Sequence, residues 1–303
     1  MKQNSLILTI AGLAFCLLTT HTAGQTEQRD PLTGEITIIP AEPEQPVKAD
    51  LTEANELVLA KDYAGAEGLL AALQEEFPED ADLLMLRGEL LLALNRPAES
   101  IEVLRTAAKL DPDRPRLHFQ LASALVATGQ TEPAIEAFGK EIEISEDPQV
   151  LIFSHLNRSM LFQERKDWTA SATELEAVLA LEPERKPVYG DLVAMYVQSG
   201  RLDEAADTLE RGEAVGFDSV THWYSVAARL AKDGEYERAV ELFTKAIALN
   251  PEHADSERAL AAALEQLGRE DEAIEHLKRY LELKPDAPDS KAVEAKIGAS
   301  KAG

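Results

Sequence analysis

A chain of 303 residues can bury one large core or several small cores stacked in a row. It is 45% hydrophobic but only 5% aromatic, rich in Leu, Ala and Glu, which favours helices. A formal net charge of −25 argues against a nucleic-acid groove and against electrostatic docking on anionic lipid.

The first segment, residues 1–24, has one lysine near its start, an apolar run from Leu6 to Leu18, and small residues before Gln25. It reads as a secretory signal peptide, because that run is short for a membrane span; an uncleaved anchor is the alternative. Phe15 stands before Cys16, where a lipoprotein signal needs a small residue. Cleavage removes the chain's one cysteine, and with it disulfides, thiol catalysis and cysteine metal sites. An exported location, in a bacterial periplasm, is expected, with no stable membrane insertion after signal removal. Residues 25–46 mix prolines with acidic residues and lack periodicity, so a disordered linker is expected, with Glu35 to Ile39 a short extended piece.

From residue 47 a 34-residue pattern repeats seven times, with units at 47–80, 81–114, 115–148, 152–185, 186–219, 220–253 and 254–287. An insertion, Gln149 to Leu151, interrupts the period and predicts a break between the third and fourth units. The eighth and twentieth positions are mostly small, as at Ala122 and Ala134, which lets two helices approach closely. The eleventh and twenty-fourth are large and apolar, as at Leu230 and Phe243, and fill the space beside them. Gly129, Gly200, Gly234 and Gly268 end first helices, and prolines such as Pro251 follow second helices. Residues 288–303 read as a short capping helix and tail.

The order Trp, Leu, Gly, Tyr, Ala, Phe, Ala, Pro from Trp223 to Pro251 resembles the tetratricopeptide repeat family, over residues 47–287. The resemblance implies an all-α fold: an α-solenoid of about seven helical hairpins in a right-handed superhelix, closed by a C-terminal capping helix. It places Trp223 in the core. It also implies that first helices line a concave groove whose second, fifth, sixth, ninth and twelfth positions face a bound protein segment.

Carried over on those positions, the candidate groove residues are Asn55, Met85, Phe119, Gln120, Phe153, Leu156, Asn157, Met160, Asp191, Tyr224 and Ser225. Met85, Phe119, Phe153, Leu156, Met160 and Tyr224 form an apolar strip. Gln120, Asn157, Asp191 and Ser225 run along it as candidates to hydrogen-bond a partner's backbone. A lysine/asparagine/arginine clamp for a C-terminal carboxylate is not assembled, since Leu51 and Leu86 stand where it needs polar residues. Common enzyme motifs are lacking: no Gly-rich phosphate loop, no Gly-x-Ser-x-Gly elbow, no His-Glu-x-x-His pair. His118 and His155 share the fourth position of successive units, too far apart for one ion at helix-packing spacing. His253 and His276 are expected to be solvated. The expected function is a non-catalytic scaffold binding a partner segment, without cofactor, in envelope assembly or a secreted complex. Alternatives are an accessory subunit of an envelope enzyme and a carrier of an apolar small molecule or lipid.

Overall fold

The computed structural model describes residues 48–300 and, before them, the residue pairs 28–29 and 36–37. The expected signal peptide and most of the expected linker lie outside the described residues. Within the linker, Gln28–Arg29 (β1) pairs antiparallel with Ile36–Thr37 (β2), Gln28 opposite Thr37. Ile36 and Thr37 belong to the piece expected to be extended.

From Ala49 onward the chain forms one unit of stacked helical hairpins. Thr52–Leu59 (α1) packs with Tyr63–Glu76 (α2), Ala81–Ala93 (α3) with Pro97–Leu110 (α4), and Leu117–Ala127 (α5) with Thr131–Ile144 (α6). Pro148–Glu164 (α7) packs with Trp168–Leu181 (α8), and Lys186–Ser199 (α9) with Leu202–Ala214 (α10). Val220–Lys232 (α11) packs with Tyr236–Leu249 (α12), and Ala254–Gln266 (α13) with Glu270–Leu283 (α14). Ser290–Ser300 (α15) closes the array against α14, burying Val293. The fold is the all-α solenoid expected.

The small-residue columns explain why each pair is close. Ala54, Gly88, Ala122, Ser159, Val193, Ala227 and Ala261 are all buried, and so are Ala66, Ser100, Ala134, Ser171, Ala205, Ala239 and Ala273 facing them. Trp223, Phe138 and Phe243 are the largest fully buried side chains, each contributing about 2–3 kcal/mol of apolar burial. Trp223 is core, and the Lys245 ammonium lies 4.5 Å from its ring centroid. The turn between the two helices of every hairpin uses one left-handed residue. Glycine provides it at Gly129, Gly200, Gly234 and Gly268, whereas Lys61, Asn95 and Lys166 hold φ near 60° without that freedom.

Two hairpins pair a histidine with a glutamate by hydrogen bonding. At the fourth position, His155 Nδ1 donates to Glu174 Oε2 at 2.7 Å within the fourth hairpin. The seventh hairpin makes the same contact with the partners exchanged, His276 Nδ1 donating to Glu257 Oε2 at 2.6 Å. His276 is therefore engaged and partly covered, not simply solvated. His253 also differs from expectation: its Nδ1 is 2.7 Å from Ser256 Oγ, and its ring stands edge-on to Tyr224 at 5.5 Å.

The insertion Gln149 to Leu151 forms no break in the chain's helicity. Asp147 accepts from the Gln149 amide, Pro148 takes the first helical position, and the extra residues become the opening turn of α7. At 17 residues α7 is the longest described helix. The division falls in the packing instead. One apolar cluster runs from Ala54 to Leu161 and a second from Ile152 to Val293, so α7 contributes to both.

Candidate partner-binding groove

First helices of successive hairpins approach one another directly, α3 with α5, α9 with α11, and α11 with α13. No comparable approach joins successive second helices among the described residues, which puts the first helices on the tighter, inner side. Helix α7 makes no such approach to α5 or α9.

Burial along the first helices follows the inward phase expected for the groove. The ninth position is exposed or half-buried in every hairpin: Asn55, Glu89, Ser123, Met160, Ala194, Ala228 and Ala262. The twelfth is half-buried throughout, from Val58 to Glu265. Among the apolar candidates, however, packing separates two groups. Met85 and Phe119 lean on the first core, where Phe119 meets Phe138 edge-on at 5.6 Å. Leu156 and Tyr224 lean on the second, where the Tyr224 and Phe243 rings are 5.7 Å apart. Phe153 and Met160 belong to neither core. They lie seven residues apart on one face of α7, and Met160 is 44% exposed, one of the few large apolar side chains in contact with water.

The polar candidates are mostly satisfied from within. Gln120 is buried, against expectation, because its Nε2 donates to Glu89 Oε2 at 2.9 Å across the boundary between the second and third hairpins. Its Oε1 is buried without a hydrogen-bond partner among the described residues. Asn157 Nδ2 donates to the Phe153 carbonyl at 2.7 Å, and Ser225 Oγ donates to the His222 carbonyl at 2.9 Å. Asn55 is exposed on α1, at the start of the array. Asp191 is exposed on α9, and its carboxylate has no hydrogen-bond or ion-pair partner among the described residues. The structure thus gathers Phe153, Leu156, Asn157 and Met160 on α7 and sets the other candidates on neighbouring helices.

Two groups stand outside the candidate set, Glu89, although it holds a ninth position, and His222. Glu89 enters the inner face, and burial pushes its carboxyl above the usual range despite the Gln120 hydrogen bond and the nearby Arg116 charge. His222 enters through Gly190, the one fifth-position residue without a side chain. A Cβ there would stand 3.1 Å from His222 Cε1, so the imidazole occupies the space that a larger residue fills in the other hairpins. A glycine in an otherwise bulky column was the available signal.

Elsewhere, Glu141 is fully buried in α6 and takes the Arg116 and Phe119 backbone amides at 2.7 and 3.1 Å. It serves the start of α5, where Arg116 is left-handed and offers no side-chain cap. No group of three or more His, Cys, Asp or Glu side chains positioned to hold a metal occurs among the described residues. No described helix is long and apolar enough to cross a membrane.

The sequence profile of the tetratricopeptide repeat family matches residues 57–118, 91–140, 163–230 and 230–297, well over half of the chain. The chain is similar to TPR repeat-containing protein YpiA of Bacillus subtilis (strain 168), 23% identical over 218 residues, covering 67% of this chain and 49% of that protein. It is also similar to a TPR repeat-containing protein of Treponema pallidum (strain Nichols), 26% identical over 204 residues, covering 63% of this chain and 23% of that one. It therefore spans about half the length of the first relative and under a quarter of the second. Among solved structures, a chain of Naa15/Naa10 bound to HypK-THB superposes with a TM-score of 0.64 at 16% identity, covering 81% of this chain and 38% of that chain. The C-terminal part of a TPR repeat-containing protein from Cytophaga hutchinsonii gives 0.50 at 14% identity, covering 80% and 99%. These likenesses concern the fold alone.

Proposed function

We propose, for a chain that belongs to the tetratricopeptide repeat family, that it is a non-catalytic scaffold holding a segment of a partner protein against its inner face. The observation that carries this reading is the pair Phe153 and Met160 on α7. Both are apolar, both face the inner side by column, and neither is used by either core. An apolar strip left unfilled by its own chain suits an extended or helical segment from another protein. The flanking ninth-position residues Ser123, Ala194 and Ala228 are small, which leaves room for a main chain to pass.

The exported setting is part of the proposal. Its support is the leader from residue 1 to 24, with the apolar run Leu6 to Leu18, and bacterial relatives that share the repeat. The proposal extends to a periplasmic role in envelope assembly, and cell fractionation with a control lacking residues 2–24 checks the location.

The direct test places a photoreactive residue at position 160 of the full chain in its native host. One protein should be trapped there, and Phe153→Asp should abolish trapping while circular dichroism stays unchanged. A trap that survives Phe153→Asp, or no trapped protein at all, refutes the scaffold reading.

A further inference from the structure

We propose that Asp191 is the cation-reading position of the inner face, pairing with a lysine or arginine of an otherwise apolar partner segment. The inference rests on the groove reading above and adds the chemistry of its occupant.

The sixth-position column carries Thr52, Leu86, Gln120, Asn157, Asp191, Ser225 and Ala259. Asp191 is the charged member of that column. Its polar neighbours in the column spend their donors internally, Gln120 on Glu89, Asn157 on the Phe153 carbonyl and Ser225 on the His222 carbonyl. The Asp191 carboxylate spends nothing, having no hydrogen-bond or ion-pair partner among the described residues.

Although exposed, its carboxyl shares one property with two covered ones. Three described carboxyls are raised by burial: Glu89, Glu141 and Asp191. Glu141 is compensated by backbone amides from α5, and Glu89 by the Gln120 amide and the Arg116 charge. Asp191 has His222 beside it, whose pull on the Asp191 carboxyl is outweighed by burial, and burial also lowers the His222 pKa. The His222 ring is fixed by the contact of Nδ1 with Ser219 Oγ at 2.6 Å and by its seat over Gly190. The result is an open anion on the first-helix side, with the small Ala194 one turn along α9. A cationic side chain entering there gains a pair less screened than one on the outer surface. The net charge of −25 favours approach of such a segment.

The test uses a random dodecapeptide library selected on the full chain, with wild type, Asp191→Asn, Asp207→Asn and Met160→Asp in parallel. Asp191→Asn preserves shape, and Asp207, exposed on α10, controls for general loss of negative charge. Peptides selected on wild type should pair apolar residues with one Lys or Arg. They should bind Asp191→Asn about fivefold more weakly, the ratio expected for an ion pair at a partly shielded surface, and Asp207→Asn equally well. Replacing their cation by norleucine should remove the sensitivity to Asp191→Asn. Apolar peptides blocked by Met160→Asp but without a cation preference would overturn the Asp191 assignment and leave the groove reading standing. So would a cation preference that persists in Asp191→Asn. Selection of no peptide, or of peptides indifferent to Met160→Asp, would overturn both.

Discussion

Replacing Gly234 by alanine isolates the backbone cost of the turn that all seven hairpins share. Gly234 has φ 88°, and a Cβ added there meets nothing within 4 Å, so no side-chain clash enters the balance. A left-handed L-residue costs about 1–2 kcal/mol. The smaller unfolded-state entropy of alanine returns about 0.4–1 kcal/mol, leaving a net loss of about 0.5–1 kcal/mol. Lys166 is the reverse experiment. It is exposed with φ 59°, so Lys166→Gly relieves the same strain and should stabilise by a similar amount. Urea unfolding at unchanged m-value reads both shifts as opposite displacements of the midpoint. Because a stacked array sums local and nearest-neighbour terms, amide exchange should place the loosening in α11 and α12 and the tightening in α7 and α8. Midpoints that move in the same direction, or do not move, would show that backbone conformation does not set these turns.

Ser159 and Ser171 are fully buried with their hydroxyls 2.9 Å apart. Ser159→Ala should cost about 1–2 kcal/mol by stranding the Ser171 hydroxyl, and the double alanine variant little more than the single. Additive losses in a double-mutant cycle would contradict that. For Glu89, the raised folded pKa means that the folded state favours the protonated carboxyl, so its contribution is present at acid pH and lost as pH rises through the folded value. Glu89→Gln should therefore be more stable than wild type at about pH 8, with the gap closing towards about pH 4 in urea titrations. On the second helices, Arg211 grips Glu176 through two bonds of 2.9 Å across one hairpin boundary, and Lys245 reaches Glu210 across the next. Arg211→Met should cost about 0.5–1 kcal/mol at low salt and less at about 1 M salt; a salt-independent loss would assign the effect to packing on Tyr189 instead.

The hairpins were legible because their contacts are local and repeat at one interval. A small residue at the eighth position, such as Ala227, faces a small residue at the twentieth, such as Ala239, in the same hairpin, and Trp223 follows from the same column logic. The four glycine turns were visible for that reason, and Asn95 carries the weaker marker of a residue that tolerates the left-handed region, whereas Lys61 and Lys166 adopt the same geometry with no marker in their residue type. Met160 and Asp191 are exposed as their columns suggested, whereas Gln120 is buried. Its burial depends on Glu89 reaching across from the preceding hairpin, 31 residues away. The His276–Glu257 pair was likewise hidden, because exchanging the two partners between columns erases the repeat while preserving the contact. Columns reveal which residues are near a surface. They do not reveal which neighbour a long polar side chain will choose.

Helix α7 places Ile152 in one apolar cluster and Leu161 in the other, with Phe153 and Met160 between them on the sequence. The interior is divided into two apolar clusters that meet on this one helix, so loss of the N-terminal hairpins would leave the C-terminal cluster its own residues. A partner segment seated on Phe153 and Met160, as proposed, would brace that helix and couple the melting of the two clusters.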